Sequence, residues 1–298
     1  MKKQIILLAG GTGMIGKEMQ AFLLKQGHEV RILSRKPSDL SKNIFHWQPT
    51  KDEIDAAALN GVTTIINLSG AGIADKRWTA ERKREMIDSR VQPTQFLVSL
   101  APQMPELKQY ISASGINCYG YDNHAKVYQE NDPFGKDFLS QVVEKWEQSA
   151  NSFSTYCVVS KIRISVVLTA EGGALETIAK PIKMGLTSAL GTGKQWMPWI
   201  HIDDLVGLFN FVMENRLEGS FNATAKVVNN KEFTDALAKQ LNKKRWLPNV
   251  PAFVLKTILG EMSTVVLEGV NASNEKVKKA GFAFQYEKLG DALKQIYS

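Results

Sequence analysis

Residues 9–16 read Ala-Gly-Gly-Thr-Gly-Met-Ile-Gly, and this turn restricts the possible folds more than any other segment. It follows a continuous apolar run, QIILLA over 4–9, the pattern of a strand buried on both faces. It opens a stretch over 17–26 that reads as a helix, stopped by Gly27. Gly10, Gly13 and Gly16 form G-x-x-G-x-x-G. In a strand–turn–helix unit the first glycine permits the tight turn and the second admits a pyrophosphate. The third lets helix and strand pack closely, while the helix N-terminus faces the anion. Gly10, Thr12, Gly13, Met14 and Ile15 are therefore candidate contacts for a dinucleotide. A rival reading takes residues 11–18 as a phosphate loop of the G-x-x-x-x-G-K-[ST] type. It fails at Glu18, where a carboxylate replaces the magnesium-binding hydroxyl.

The second strand ends Leu33-Ser34-Arg35-Lys36. A site for NAD wants an acidic residue about 20 positions after the glycine turn, to bond the ribose hydroxyls. Here a serine and two cations stand instead, a set suited to the 2′-phosphate of NADP(H), with Ser34 and Arg35 as its ligands. The plain alternative is a pair of solvated loop cations. Strand patterns at 4–9, 28–34, 43–47, 63–68, 110–113 and 156–168 alternate with helical ones at 17–26, 79–101 and 137–150. That alternation predicts an α/β fold, a Rossmann-type doubly wound parallel sheet with a smaller C-terminal α/β substrate lobe. Residues 1–169, with part of 197–229, are the expected cofactor-binding domain. Residues 170–298 are mainly the lobe, with a C-terminal domain at 246–298. Helices are expected at 203–215, 230–242, 251–268 and 287–297.

With 298 residues the chain can bury a large core unaided, and two cysteines exclude a disulfide framework or a multi-cysteine zinc site. His28, His46, His124 and His201 lack metal-ligand spacing, so no metal is expected. There is no apolar run of about 18 residues, so no membrane partner is expected. The apolar start is too short for a signal peptide, which points to the cytoplasm. A net charge of +7 allows an anionic ligand, but no recognition motif accompanies Lys243-Lys244-Arg245 and no nucleic-acid partner is expected.

The blocks GGTGMIG, LSRKP, INLSGAGI followed by RWT, IDSRVQPT, ISASG followed by YG, PWIHIDDL, FNATA and LGEMSTVVLEG occur in this order along nearly the whole chain. In this the sequence resembles atypical short-chain dehydrogenase/reductases. More narrowly, it resembles epimerase-family proteins that carry a C-terminal domain of unknown function, often labelled sugar-nucleotide epimerases or cell-division-inhibitor-like. The resemblance implies that Leu68, Ser69 and Gly70 lie beside the adenine-ribose portion of the cofactor. It also implies that Arg90 approaches the cofactor with Glu85 nearby, and that Val167 lines the nicotinamide side. Glu85 and Arg90 can also be read as a charge pair on a helix surface. A small-molecule substrate, with nucleotide sugars among the candidates, and a monomer or homodimer go with the resemblance.

Members of the wider superfamily pair a Ser or Thr with Tyr-x-x-x-Lys, whose spacing puts both side chains on one helical face. None of the seven tyrosines here has lysine four places on. The corresponding helix, DFLSQVVEKWEQSA over 137–150, reads instead as a buried hydrophobic face. Ser114 matches the superfamily's catalytic serine by its place after a strand, and Tyr119 is a substitute proton donor or packs beside the cofactor. Cys118 stands where the family tends to carry a further tyrosine. His201 reads as structural, with Asp203 or Asp204 capping the following helix. Trp196, Met197 and Trp199 suit either a substrate mouth or the core. Because the usual acid/base pair is missing, the alternative to an oxidoreductase or epimerase is a non-catalytic NADP(H)-binding sensor or regulator.

Overall fold

The computed structural model describes residues 3–121 and 126–298, so His124 lies outside the described residues. β1 (Ile5–Ala9) leads through the glycine turn into α1 (Met14–Lys25), and β2 (Glu29–Ser34) and β3 (Ile44–Gln48) follow. The short β4 (Glu53–Ile54) folds back on β3. Next come β5 (Thr64–Asn67), the long α2 (Ala80–Leu100), β6 (Gln109–Gly115), α3 (Phe138–Asn151), β7 (Val158–Ile164) and β8 (Val166–Leu168). α4 (Gly173–Lys183), β9 (Trp196–Met197) and β10 (Trp199–His201) lie outside the main sheet, after which come α5 (Ile202–Glu214) and β11 (Gly219–Ala223), the latter back in the sheet. β12 (Val228–Asn229), α6 (Asn230–Gln240), α7 (Ala252–Leu259), α8 (Thr264–Leu267), α9 (Glu275–Lys279) and α10 (Leu289–Ile296) complete the order.

Among the described residues the main sheet runs β11-β7-β6-β5-β1-β2-β3-β4, parallel throughout except for β4. Because side chains alternate along a strand, β1 feeds two cores. Ile6 and Leu8 pack with α1 and α5, whereas Leu7 and Ala9 face the α2 side. All four are fully buried, which is why this strand reads as a continuous apolar run. The expected Rossmann-type doubly wound α/β architecture is present. A further core in the lobe joins Leu175, Ile182, Trp199, Phe233, Leu237 and Leu293, so Trp199 is a core residue. Trp196 and Met197 are half-buried. Among the described residues no helix is long and apolar enough to cross a membrane.

Several expected boundaries move for physical reasons. The strand expected over 156–168 breaks at Ser165, whose amide and hydroxyl both donate to the Ala223 carbonyl. Beyond that point β8 leaves the main sheet and pairs with β10. The helix expected over 251–268 stops at Gly260, which has a φ of +60°, and resumes as α8. The cap of α5 is His201 rather than either aspartate, its Nδ1 accepting from the Asp203 amide at 3.2 Å. Its Nε2 pairs with Gln295 Oε1 at 2.9 Å, so both ring nitrogens are engaged.

Asp204 instead reaches across the lobe. It accepts from the Gln285 amide at 2.7 Å and the Tyr286 amide at 2.9 Å. Asp204→Ala should therefore lower stability by about 2 kcal/mol, the scale of hydrogen bonds to a charged group. Urea melts of the two proteins check this.

Candidate functional site

The sheet order reverses between β1 and β5, since the chain runs outward from β1 on one side and from β5 on the other. In open parallel sheets such a switch point leaves a crevice beyond the carboxyl ends of the strands. Here the crevice is lined by the two turns that follow those strands. Gly10 has a φ of +77°, and a Cβ on it would lie 2.8 Å from the Leu68 carbonyl carbon. A Cβ on Gly16 would lie 2.3 Å from the Gly10 oxygen. The turn is thus closed onto backbone on both sides, and only glycine fits. The N-cap of α1 is Gly13, so no side chain caps the helix, which leaves its N-terminus for an anion.

The opposing turn is set by Asn67, fully buried at the end of β5. Its Nδ2 donates to Tyr110 Oη at 2.9 Å and Thr94 Oγ1 at 3.1 Å, and its Oδ1 accepts from the Ser69 amide at 3.0 Å. These bonds hold Leu68 and Ser69 against the glycine turn.

The cavity between these turns has a volume of about 700 Å³. Gly10, Thr12 and Gly13 line its base, with Leu68, Ser69 and Gly70 beside them. Ser34 and Arg35 form one wall with 47–50, and the Ser34 hydroxyl accepts from the Lys36 amide at 3.2 Å. One face of α2 forms the other wall, with Glu81, Arg84, Glu85 and Asp88 at helical spacing. Neither Arg35 nor Arg84 makes a hydrogen bond or ion pair among the described residues, so each guanidinium is available to a ligand. Arg84 and Asn67 escaped the sequence reading. The apolar periodicity of α2 carried no sign of which polar face would meet the crevice.

The remaining expected cofactor residues are placed differently. Glu85 lies on the wall, but Arg82 Nη1 donates to it at 2.6 Å, and that bond holds its carboxyl below the usual range. The suggested pairing of Glu85 with Arg90 does not form. Arg90 is buried and holds the turn, donating to Met86 O at 2.8 Å and Ala71 O at 3.0 Å. Its guanidinium also lies over the Trp146 ring. Burial, with the charge of Arg82, pushes its pKa down to about 10. A side chain at Gly70 would press on this guanidinium, its Cβ 3.0 Å from Arg90 Cζ. The side chains of Met14 and Ile15 pack on the core rather than line the cavity. Val167 is buried in β8 and does not line the cavity.

Ser114 and Tyr119 are not on the cavity wall. Both are buried in a polar network that the sequence reading missed, centred on Glu147 of α3 and Arg163 of β7. Ser114 Oγ donates to Glu147 Oε1 at 2.6 Å. Arg163 donates through Nε to Glu147 Oε1 at 2.8 Å, through Nη2 to Oε2 at 3.0 Å, and through Nη1 to Tyr119 Oη at 2.9 Å. Tyr119 in turn donates to Asn222 Oδ1 of β11 at 2.7 Å. Burial raises the Tyr119 phenol far above its ordinary value although Arg163 opposes the shift, so a phenolate is disfavoured. The helix read as purely hydrophobic does bury Leu139, Val142, Val143 and Trp146, and it buries Glu147 in the same stripe. Cys118 is also buried and its thiol is raised by burial. The described residues contain no cluster of three or more His, Cys, Asp or Glu able to hold a metal.

Residues 250–296 match a domain of unknown function, DUF1731. The chain is 36% identical over 305 residues to the chloroplastic SDR39U1 homolog of Arabidopsis thaliana, covering 98% of this chain and 86% of that protein. It is 34% identical to human epimerase family protein SDR39U1, covering 98% of this chain and 99% of that one. The crystal structure of the human protein with NADPH (isoform 2) superposes with a TM-score of 0.88 at 30% identity, over 99% of both chains. A nucleoside-diphosphate sugar epimerase from Corynebacterium glutamicum gives a TM-score of 0.81 at 26% identity, over 99% of this chain and 58% of that one. With residues 6–224 matching that family's pattern, the chain belongs to the NAD dependent epimerase/dehydratase family.

Proposed function

We propose that the chain binds NADPH in the crevice between β1 and β5 and acts with it on a small molecule, as an oxidoreductase or epimerase. The observation that carries this reading is the all-backbone glycine cradle facing an unpartnered Arg35 across the cavity. The residues fit the cofactor chemically. Gly10 and Gly16 leave room only for backbone, and Thr12, Gly13 and the first-turn amides of Met14 and Ile15 offer donors to a pyrophosphate. Ser34 and Arg35 offer donors to the 2′-phosphate, with Arg84 on the facing wall. Leu68, Ser69, Gly70 and Glu85 border the ribose side. Arg90 fixes the turn that carries Gly70, and Val167 is the residue assigned to the nicotinamide side. When bound, the nicotinamide supplies or accepts hydride.

The human relative crystallised with NADPH supports the choice of cofactor. The Corynebacterium glutamicum relative makes nucleotide sugars the first substrate class to test. A cytoplasmic setting, and a division into a cofactor domain over 1–169 and a lobe over 170–298, belong to the same reading.

One observation favours a second reading. Ser114 and Tyr119 spend their hydrogen bonds on Glu147, Arg163 and Asn222, so they hold the fold rather than offer a proton. That arrangement suits an NADP(H)-binding sensor without turnover. Single-turnover assays with NADPH against nucleotide sugars, aldehydes and ketones separate the two, with product sugars analysed for redox-neutral epimerisation. Oxidation of NADPH or epimerisation of one substrate is the result expected of an enzyme. Tight binding with neither outcome assigns the sensor.

A further inference from the structure

Two segments far apart in sequence lie side by side on the lobe. The stretch 184–191 follows α4, and 246–250 leads into α7. The Trp246 indole donates to Gly185 O at 2.9 Å, the Val250 amide to Ala189 O at 2.8 Å, and the Gly191 amide back to Val250 O at 2.9 Å. This strip and α7 present side chains that a folded chain normally takes inside. Met184, Trp246 and Phe253 are 70%, 71% and 71% exposed, Leu186 and Ile258 more than half exposed, and α7 buries none of its residues.

The charges around the strip are segregated to the same degree. Residues 177–202 contain three lysines, and 236–260 contain four lysines and an arginine, and neither segment has any Asp or Glu. Of the 37 Lys and Arg in the chain these segments hold eight, and of the 30 Asp and Glu they hold none. In sequence these two segments carry a net +8 against +7 for the whole chain, with Asp235 and Glu261 bounding the second. A shallow concavity of about 620 Å³ is lined by Lys239, Lys243, Lys244 and Arg245 together with Asp235, which pairs with Arg245 at 2.7 Å.

We propose that this strip is a peripheral contact surface for an anionic lipid bilayer. Trp246, Phe253 and Met184 enter at headgroup level, and the surrounding lysines meet the lipid phosphates. The expectation of no membrane partner rested on the lack of a spanning segment, and surface attachment needs none. Nucleic acid would use the cations and the indole, but it gives no role to exposed Met184, Leu186 and Ile258. A second copy of the chain in a two-fold contact would set one cationic patch against another, which is unfavourable.

The test is flotation of the full chain with vesicles of phosphatidylcholine, with and without phosphatidylglycerol. Association with the anionic vesicles alone is expected, weakening as salt rises. Each cation near such a surface contributes about fivefold in affinity, so K243Q/K244Q should bind about twenty-five-fold more weakly. W246A/F253A should lose flotation. Thermal melts and NADPH titration of both variants check that the fold is intact. No flotation at low salt, equal binding to neutral vesicles, or unchanged binding by both folded variants would overturn the proposal. So would a wild-type dimer that W246A/F253A converts to monomer, since the strip would then be covered by a second copy.

Discussion

Glu147→Ala is expected to destabilise the fold by about 3–5 kcal/mol, because it leaves the Arg163 guanidinium buried without its counter-charge. Both side chains are nearly inaccessible, at 4% and 5% exposed. The loss also removes the acceptor of Ser114, so a hydroxyl near α3 is left unpaired. Replacing both charges, as in E147M/R163M, should recover much of the loss, since a packed apolar pair has no charge to desolvate.

The network also sets an acid limit. Burial pushes the Glu147 carboxyl up, but the bonds and charge of Arg163 and the Ser114 hydroxyl hold it below the usual carboxylate range. A folded-state pKa below the unfolded value, about 4.3 for Glu, gives stability that is fully present above that value. It is lost as pH falls through the lowered one. The stability gap between wild type and E147Q should therefore close in acid. Urea melts from neutral pH down to the acid range measure it, and a gap independent of pH would show that Glu147 is not held ionised.

The second large effect is expected at Arg35. Removing one charged hydrogen-bonding partner of a phosphate costs about 1.5–3 kcal/mol. Arg35→Ala should thus weaken NADPH binding about ten- to hundredfold while leaving NADH nearly unchanged, because only NADPH carries the 2′-phosphate. Arg35 is exposed and makes no bond among the described residues, so its removal costs the fold little. Titration of both nucleotides with the variant checks the ratio. Equal weakening for both would place Arg35 on the pyrophosphate instead.

How far the site could be read from sequence depends on the range over which each feature is determined. The glycine turn is local: the run 4–9, the turn and α1 are contiguous, and each steric demand falls on a neighbour in the chain. The end of β2 is local too, so Ser34 and Arg35 could be placed on the wall from spacing alone. Asn67 could not, because its role is to join Tyr110 and Thr94 on other elements. Glu147 sat in plain view between Val143 and Ala150, yet its partner Arg163 lies across a helix–strand junction, and periodicity alone made the helix look apolar. His201 caps α5 because the helix starts at Ile202, which puts both aspartates inside its first turn, and Asp204 binds amides 81 and 82 residues further on. The break at Ser165 has the same origin, since β11 supplies the carbonyl that turns the chain.

The central claim is that the crevice between β1 and β5 takes NADPH. The most direct measurement is the fluorescence of reduced nicotinamide as the wild-type chain is titrated with NADPH and, separately, NADH. Saturable binding of NADPH, tighter than NADH by the margin that Arg35→Ala removes, is the predicted result. Absence of saturable binding of either nucleotide by folded protein would contradict it.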